Sequence, residues 1–312
     1  MKKTFLVTGA AGFIGTAVVQ KLIDREFEVV TIDNLSTGFK EHIPSNVEFI
    51  EGSTFDPEII QKLNGRKFDA IIHIAGQSSG EVSFENPVYD LQTNCQSTLM
   101  LLDYARKTGC NKFVYASTMS VYGDRENPEC TEDSFLEPKS FYAVGKIASE
   151  NYMRIFSDQF GMTCTALRLF NTYGEGQNLY NLKQGMVSIY LAMAIKEHEI
   201  LVKGSKDRFR DFVYIDDVAE AFVRAIDRDG GYECMNVCTN KSTTVEQVVS
   251  EITKHLPYEV SVEYSGGTPG DQFGIYGNNK KISTVLNWMP KISFELGIEK
   301  MVSWAIDQLS ER

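Results

Sequence analysis

The sequence predicts an α/β fold: a doubly wound parallel sheet, with a smaller α+β lobe toward the C-terminus. Three observations point there. Short apolar runs alternate with helix-period segments through the first half. A glycine triplet sits where the first apolar run gives way to the first helix. Beyond about Arg168 the alternation loosens into Gly-, Asn- and Gln-rich stretches. Strand–helix alternation of this kind argues for parallel strands joined by crossover helices.

The predicted strands are Phe5–Val7, Glu28–Asp33, Val47–Ile50, Ala70–Ile74 and Lys112–Ala116, each β-branched or aromatic and bounded by turn residues. Apolar residues at helical spacing (Ile14, Val18, Leu22) predict a helix over Phe13–Asp24, and Val88–Lys107 reads as a long one. Further helices are expected over Met186–Ile195 and Asp216–Asp227; Tyr264–Asn279 is Gly-rich. No repeat or low-complexity linker divides the chain. Residues 1–171, with a return segment at about 210–238, are therefore expected to form the sheet domain, and 172–312 the smaller lobe.

The 312 residues suffice for a large core, and 43% hydrophobic and 23% charged residues are ordinary for a globular chain. The net charge of −11 disfavours nucleic acid as a partner. The apolar start stops at Thr8-Gly9, too short for a signal peptide, and no apolar run is long enough to span a bilayer. A cytoplasmic protein is expected. Six scattered cysteines (Cys95, Cys110, Cys130, Cys164, Cys234, Cys238) read as reduced thiols, and with four dispersed histidines no metal site is expected.

Gly9-Ala-Ala-Gly12-Phe-Ile-Gly15 follows a predicted strand and opens a predicted helix. In that context glycines let the turn close and let backbone N–H groups approach a pyrophosphate at the helix N-terminus. Asp33 ends the second predicted strand, where a carboxylate can accept ribose hydroxyls and repels a 2′-phosphate. Together they predict a Rossmann domain binding NAD rather than NADP.

Tyr142 and Lys146 are four apart in Ser140-Phe-Tyr-Ala-Val-Gly-Lys-Ile-Ala-Ser-Glu150, one face of a predicted helix. An ammonium beside a phenol lowers its pKa from about 10 toward the range of a general base. Tyr276 and Lys280 have the same spacing in a loop-like context, where spacing does not fix geometry. The company of Tyr142 distinguishes it: Ala116-Ser-Thr-Met-Ser-Val-Tyr-Gly123 follows a strand end, where ligands sit in open α/β sheets, and Thr118 is positioned to share a reacting oxygen.

In order along the chain, Thr8-Gly-Ala-Ala-Gly-Phe-Ile-Gly15, Ser117-Thr-Met-Ser-Val-Tyr-Gly123, Tyr142-x-x-x-Lys146, Leu169-Phe-Asn-Thr-Tyr-Gly174 and Arg210-Asp-Phe-Val-Tyr-Ile-Asp-Asp217 resemble the extended short-chain dehydrogenase/reductase family, in its nucleotide-sugar epimerase/dehydratase branch. The resemblance covers nearly the whole chain. It implies Thr118, Tyr142 and Lys146 as catalytic hydroxyl, base and tuner. It implies cofactor contacts at Gly9, Gly12, Phe13, Ile14, Gly15, Asp33, Asn34, Ser53, Thr54, Ile74, Ala75, Gly76, Asn94, Ser117, Tyr142 and Lys146. Substrate contacts are implied at Ser78, Ser79, Thr118, Asn171, Arg210 and Asp271. Asn171 is similar to the family asparagine near the sugar diphosphate, and Arg210 to the arginine that grips it; a guanidinium fork suits phosphate oxygens. Taken alone, Arg210 beside Asp211 reads as a surface ion pair.

The departures narrow the implied chemistry. Met119 and Ser120 stand where the dehydratases carry Asp-Glu, and decarboxylating relatives need a Glu at Ser120, so neither reaction is favoured. Ser53 replaces an adenine-side Asp, Thr268 an expected Arg, and Gly76 a usual alanine. The resemblance implies a nucleotide-sugar epimerase acting at the sugar 4-hydroxyl through a transient keto sugar. Two alternatives stand: a 4-dehydrogenase or reductase with the same triad, and a non-catalytic NAD-binding regulator. A homodimer is implied through helices at about 88–108 and 140–160. Tyr152, Ile155 and Phe156 serve either that interface or the core. A role in surface-polysaccharide precursors accompanies the resemblance.

Overall fold

The computed structural model describes residues 2–181, 185–266 and 273–310. Seven strands, β1 (Thr4–Thr8), β2 (Glu28–Asp33), β3 (Glu48–Glu51), β4 (Ala70–His73), β5 (Lys112–Thr118), β6 (Thr163–Leu169) and β7 (Tyr232–Val237), form one sheet. Their spatial order is β7-β6-β5-β4-β1-β2-β3, and every pairing is parallel. The chain leaves β1 toward β2 and later returns to β4 on its other side. The crevice between β1 and β4 is therefore the switch point of a doubly wound sheet, where ligands bind.

Strand alternation assigns each face a core. Phe5, Val7, Val29, Ile72 and Val114 point to one side, and Leu6, Val30, Ile32, Ile71 and Phe113 to the other. The first face is covered by α1 (Phe13–Asp24) and α4 (Ile215–Ala225) through Val18, Val19, Leu22, Ala219 and Phe222. The second is covered by α2 (Ser97–Thr108) and α3 (Phe141–Phe160) through Leu101, Leu102, Met153 and Phe156. Strands buried on both faces carry continuous apolar runs, as the sequence does.

Another core joins Val187, Leu191, Ile200, Val248, Ile252, Ile298 and Met301, between helices Met186–Glu197, Val245–Lys254 and Phe294–Ser310. A small mixed sheet links the two parts: Phe209–Arg210 pairs with Thr243–Thr244 and with Gly274–Gly277, which pairs with Glu129–Cys130. Strand Asn171–Tyr173 pairs with Phe212–Tyr214, and Ser261–Ser265 with Glu199–Lys203. Among the described residues no helix is long and apolar enough to cross a membrane.

The expected helix over Val88–Lys107 is interrupted. Pro87–Leu91 leads into a π turn over Gln92–Gln96 before α2 begins. An extra residue in a helical turn re-aims one side chain inward and is frequent at functional sites; here that turn contains buried Asn94.

Candidate active site

At the nucleotide end the backbone forms a cradle. Gly9 has φ +72, and a Cβ there would lie 2.7 Å from Ala75 N on the strand-end segment after β4. A Cβ on Gly15 would sit 1.9 Å from Gly9 O, so α1 reaches the loop only because Gly15 has no side chain. The N-cap of α1 is Gly12, with no side-chain cap and no acid in the first turn, which leaves its N–H groups for an anion. Phe13 and Ile14 form that first turn and are half-buried. Asp33 is buried at the end of β2, accepting from Ala11 N at 2.9 Å and Leu35 N at 2.7 Å. Each oxygen keeps a lone pair for a ribose hydroxyl. Asn34 Nδ2 donates to Ser53 Oγ at 3.0 Å, so the strand-end position of the missing carboxylate holds an amide–hydroxyl pair, with buried Thr54 beside it. This cradle and carboxylate fit NAD.

Thr8 ties the loop to the sheet. Its Oγ1 lies 2.7 Å from His73 Nδ1, and Ala75 N donates to it at 3.2 Å. Ser97 Oγ donates to Thr93 O and lies 3.2 Å from His73 Nε2. The serine proton is thereby used, so Nε2–H donates to Ser97 and Nδ1 accepts from Thr8. Burial holds the His73 pKa down at about 3, with the Lys146 charge adding to the effect.

The catalytic candidates converge at the end of β5. Thr118 ends the strand and caps the next turn, accepting from Ser120 N at 3.1 Å and donating to Ser120 Oγ at 3.2 Å. Ser140 caps α3 by accepting from Ala143 N, which sets Tyr142 and Lys146 in its first two turns. A hydrogen bond joins the Tyr142 phenol to Thr118. Lys146 Nζ donates to Ala116 O at 2.8 Å and lies 5.6 Å from the centre of the Tyr142 ring. Tyr276 and Lys280 fall in a strand and a separate helix and share no face.

One expectation needs correction. The Tyr142 pKa is pushed up to about 12 by burial, the Thr118 hydrogen bond opposing it and the Asp90 charge adding to it. Lys146, whose ammonium donates to the Ala116 carbonyl, is not among the groups that shift the phenol. Burial brings Lys146 down to about 8, against the charges of Asp90, Cys95 and Glu150.

Ser117 Oγ donates to Glu150 Oε1 at 2.5 Å. Glu150 also receives the Arg168 fork at 3.0 and 2.7 Å in a fully buried pair. Tyr142, Lys146 and Glu150 repeat at four-residue spacing, a signal in the sequence that could have assigned Glu150 as the brace of the helix. Ile74 and Ala75 back the glycine loop through hydrogen bonds to Thr8 O. A Cβ at Gly76 would meet Asn94 Oδ1 at 2.5 Å and Lys146 Nζ at 3.5 Å, which explains glycine in place of alanine.

Toward the smaller lobe the predicted substrate residues have mixed fates. Asn171, on a strand beside Phe212–Tyr214, has its buried Oδ1 without a partner among the described residues, which leaves it open to a ligand. Arg210 is buried, donating to Phe209 O at 2.7 Å and Phe273 O at 3.2 Å. Burial, with the Arg208 charge second, brings its pKa to about 10, so it stays cationic near neutrality. It is no surface ion pair: Asp211 is buried and accepts instead from Thr239 N and Oγ1, Asn240 N and Gly277 N. Ser79 Oγ is occupied as the N-cap of helix Gly80–Glu85, accepting from Val82 N, with Ser78 just before it. Asp271 lies outside the described residues.

The model of the NAD dependent epimerase/dehydratase family matches residues 5–238. A putative UDP-glucose 4-epimerase of Methanocaldococcus jannaschii is 33% identical over 300 residues, covering 96% of this chain and 97% of that protein. The structure of a Thermotoga maritima UDP-glucose 4-epimerase with UDP-glucose superposes with a TM-score of 0.94 at 32% identity, covering 98% of this chain and 99% of the other. A Thermus thermophilus UDP-glucose 4-epimerase in complex with NAD gives 0.89 at 32% identity, with 96% and 98% covered. The chain belongs to the NAD-dependent epimerase/dehydratase family.

Proposed function

We propose that the protein inverts the 4-hydroxyl of a UDP-hexose, using NAD and returning it unchanged. The observation that carries this reading is the convergence of Thr118, Tyr142 and Lys146 at the end of β5, beside a cradle that fits NAD. The named activity of the M. jannaschii relative and the UDP-glucose in the T. maritima structure support the substrate class.

Gly9, Gly12, Gly15 and the first turn of α1 would hold the pyrophosphate, and Asp33 the adenosine ribose. When bound, NAD supplies the hydride acceptor and donor, and its positively charged ring favours a phenolate nearby. Tyr142 takes the 4-hydroxyl proton and later gives it back, while Thr118 holds the same oxygen. Lys146 keeps positive charge behind the phenol. Asn171 Oδ1 accepts from the substrate, and Arg210 grips its diphosphate. Met119 and Ser120 carry no acid, so neither can supply the proton for eliminating water.

We further propose a cytoplasmic homodimer, with the division into a sheet domain and a substrate lobe given above. Val88, Leu91 and Leu99 on the helical run through α2, and Phe141, Val144 and Ile155 on α3, are exposed apolar residues on neighbouring helices. Exposed apolar patches of this kind mark interfaces. Phe156 packs in the core and half-buried Tyr152 against it, leaving Ile155 for the interface.

The test incubates protein and NAD with UDP-, GDP-, CDP- and dTDP-sugars, following stereochemistry by NMR and NADH by absorbance. A new 4-epimer without NADH build-up is expected. Stoichiometric NADH with a keto sugar would make the protein a dehydrogenase.

A further inference from the structure

Lys146 is an ammonium buried to 3% exposure, and a buried charge requires a compensating one. Two carboxylates act on it. Glu150 is already consumed by the Arg168 fork and the Ser117 hydroxyl. The other is Asp90, at 1% exposure on the helical segment Pro87–Leu91. Its hydrogen-bond donors are neutral amides: Gln77 Nε2 at 2.8 Å and Asn94 Nδ2 at 3.2 Å.

The two charges are linked through Asn94. Its Nδ2 is spent on Asp90 and Gln77 O, which turns Oδ1 the other way, buried and without a partner among the described residues. Gly76 identifies what lies there, since a Cβ on it would approach both Asn94 Oδ1 and Lys146 Nζ. The amide thus has its donor end on the carboxylate, while its oxygen lies on the side of Gly76 that Lys146 Nζ also approaches. Gly145, one residue before Lys146, permits the approach: a Cβ there would lie 3.3 Å from Asn94 Cβ and 3.5 Å from Asp90 Oδ2.

Resting on the proposed function, we infer that Asp90 is a positioning residue of the active site, whose buried carboxylate, held by Gln77 and Asn94, is the counter-charge of Lys146. The groups facing this pair are His73 on β4, Tyr115 on β5, Cys95 on the π turn, and Tyr142 and Glu150 on α3. The Asp90 charge opposes ionisation of Tyr142 and supports protonation of Lys146. Removing it makes both groups lose their protons at lower pH, so both limbs of the activity profile move the same way. Loss of a merely structural contact lowers activity evenly at all pH values.

The experiment titrates the Tyr142 phenolate by ultraviolet difference in NAD-loaded protein, with Y142F as blank, in wild type, D90N and D90E. In D90N the phenolate should form at a pH lower by roughly half a unit or more, and D90E should follow wild type. Where D90N gives no folded protein, D90S is titrated and read in the same way. Curves that coincide with wild type would overturn the inference, as would a uniform, pH-independent loss of kcat/KM. The titration needs no turnover, so a shifted phenolate in a protein inactive on every nucleotide sugar supports the pairing and counts against the functional reading.

Discussion

The two ends of the crevice are built from different material. At the nucleotide end the cradle is mostly main chain: Gly9 in the left-handed region and Gly15 against the Gly9 carbonyl, with one carboxylate, Asp33, itself fixed by two backbone N–H groups. At the proposed sugar end the candidate contacts are side chains from separate segments, Asn171 and Arg210, with the Asn171 amide oxygen left without a partner among the described residues. A backbone cradle tolerates almost no substitution and recognises one invariant group. A side-chain site can be retuned one residue at a time. The triad stands at the seam.

The largest effect should come from that seam. Y142F removes the proton carrier and leaves the ring and the cradle in place. Turnover should fall by at least about 100-fold, while the NAD dissociation constant, measured by calorimetry, stays within about twofold. Equal losses in both would mean that the two ends are not separable.

Next is G15A, which brings a methyl group against the Gly9 carbonyl. Overpacking of this kind costs about 1–3 kcal/mol. Here it should appear as a lower Tm and weaker NAD retention, with Arg210 and Asn171 untouched. A variant with wild-type Tm and NAD affinity would show the cradle to be softer than its geometry implies.

R210K then probes the sugar end. Lysine keeps the charge and loses the fork, so KM for the nucleotide sugar should rise about tenfold with kcat nearly unchanged. A fall in kcat at constant KM would place the arginine in transition-state stabilisation instead.

The same division governed what the sequence disclosed. The cradle was legible because glycines at fixed spacing after a strand have few other uses, and Tyr142 and Lys146 because helical spacing puts them on one face. The strands Thr163–Leu169 and Tyr232–Val237 escaped notice, since Arg168 and Asn236 interrupt their apolar runs. Those polar groups are tolerated because Glu150, Tyr122 and the Cys130 carbonyl satisfy them from distant segments. Asp90 was equally silent, because its meaning depends on a π turn and on two glycines in other segments, Gly76 and Gly145. Ser79 has a local use that spacing alone does not separate from a ligand contact: its hydroxyl caps a helix, accepting from Val82 N. What depends on one element can be read in order, and what depends on several requires the fold.

The smallest effect tests whether the cradle is rigid because of what lies behind it. His73 is neutral, donating to Ser97 and accepting from Thr8, whose carbonyl and hydroxyl both receive the N–H of Ala75. Its folded pKa of about 3 lies below the ordinary 6.5. The stability it contributes is therefore complete above about pH 6.5 and lost as pH falls toward 3. Each unit in that window should cost about 1.4 kcal/mol beyond the common carboxylate effects. Urea denaturation at pH 7, 6 and 5, comparing wild type with H73Q, isolates this term. The variant should be less stable at pH 7 and should lose stability with a shallower slope, by one proton. Parallel slopes would mean that protonated His73 finds a partner, with Thr8 turning its hydroxyl to accept. The backbone end would then be able to rearrange, and the contrast between the two ends would be one of degree.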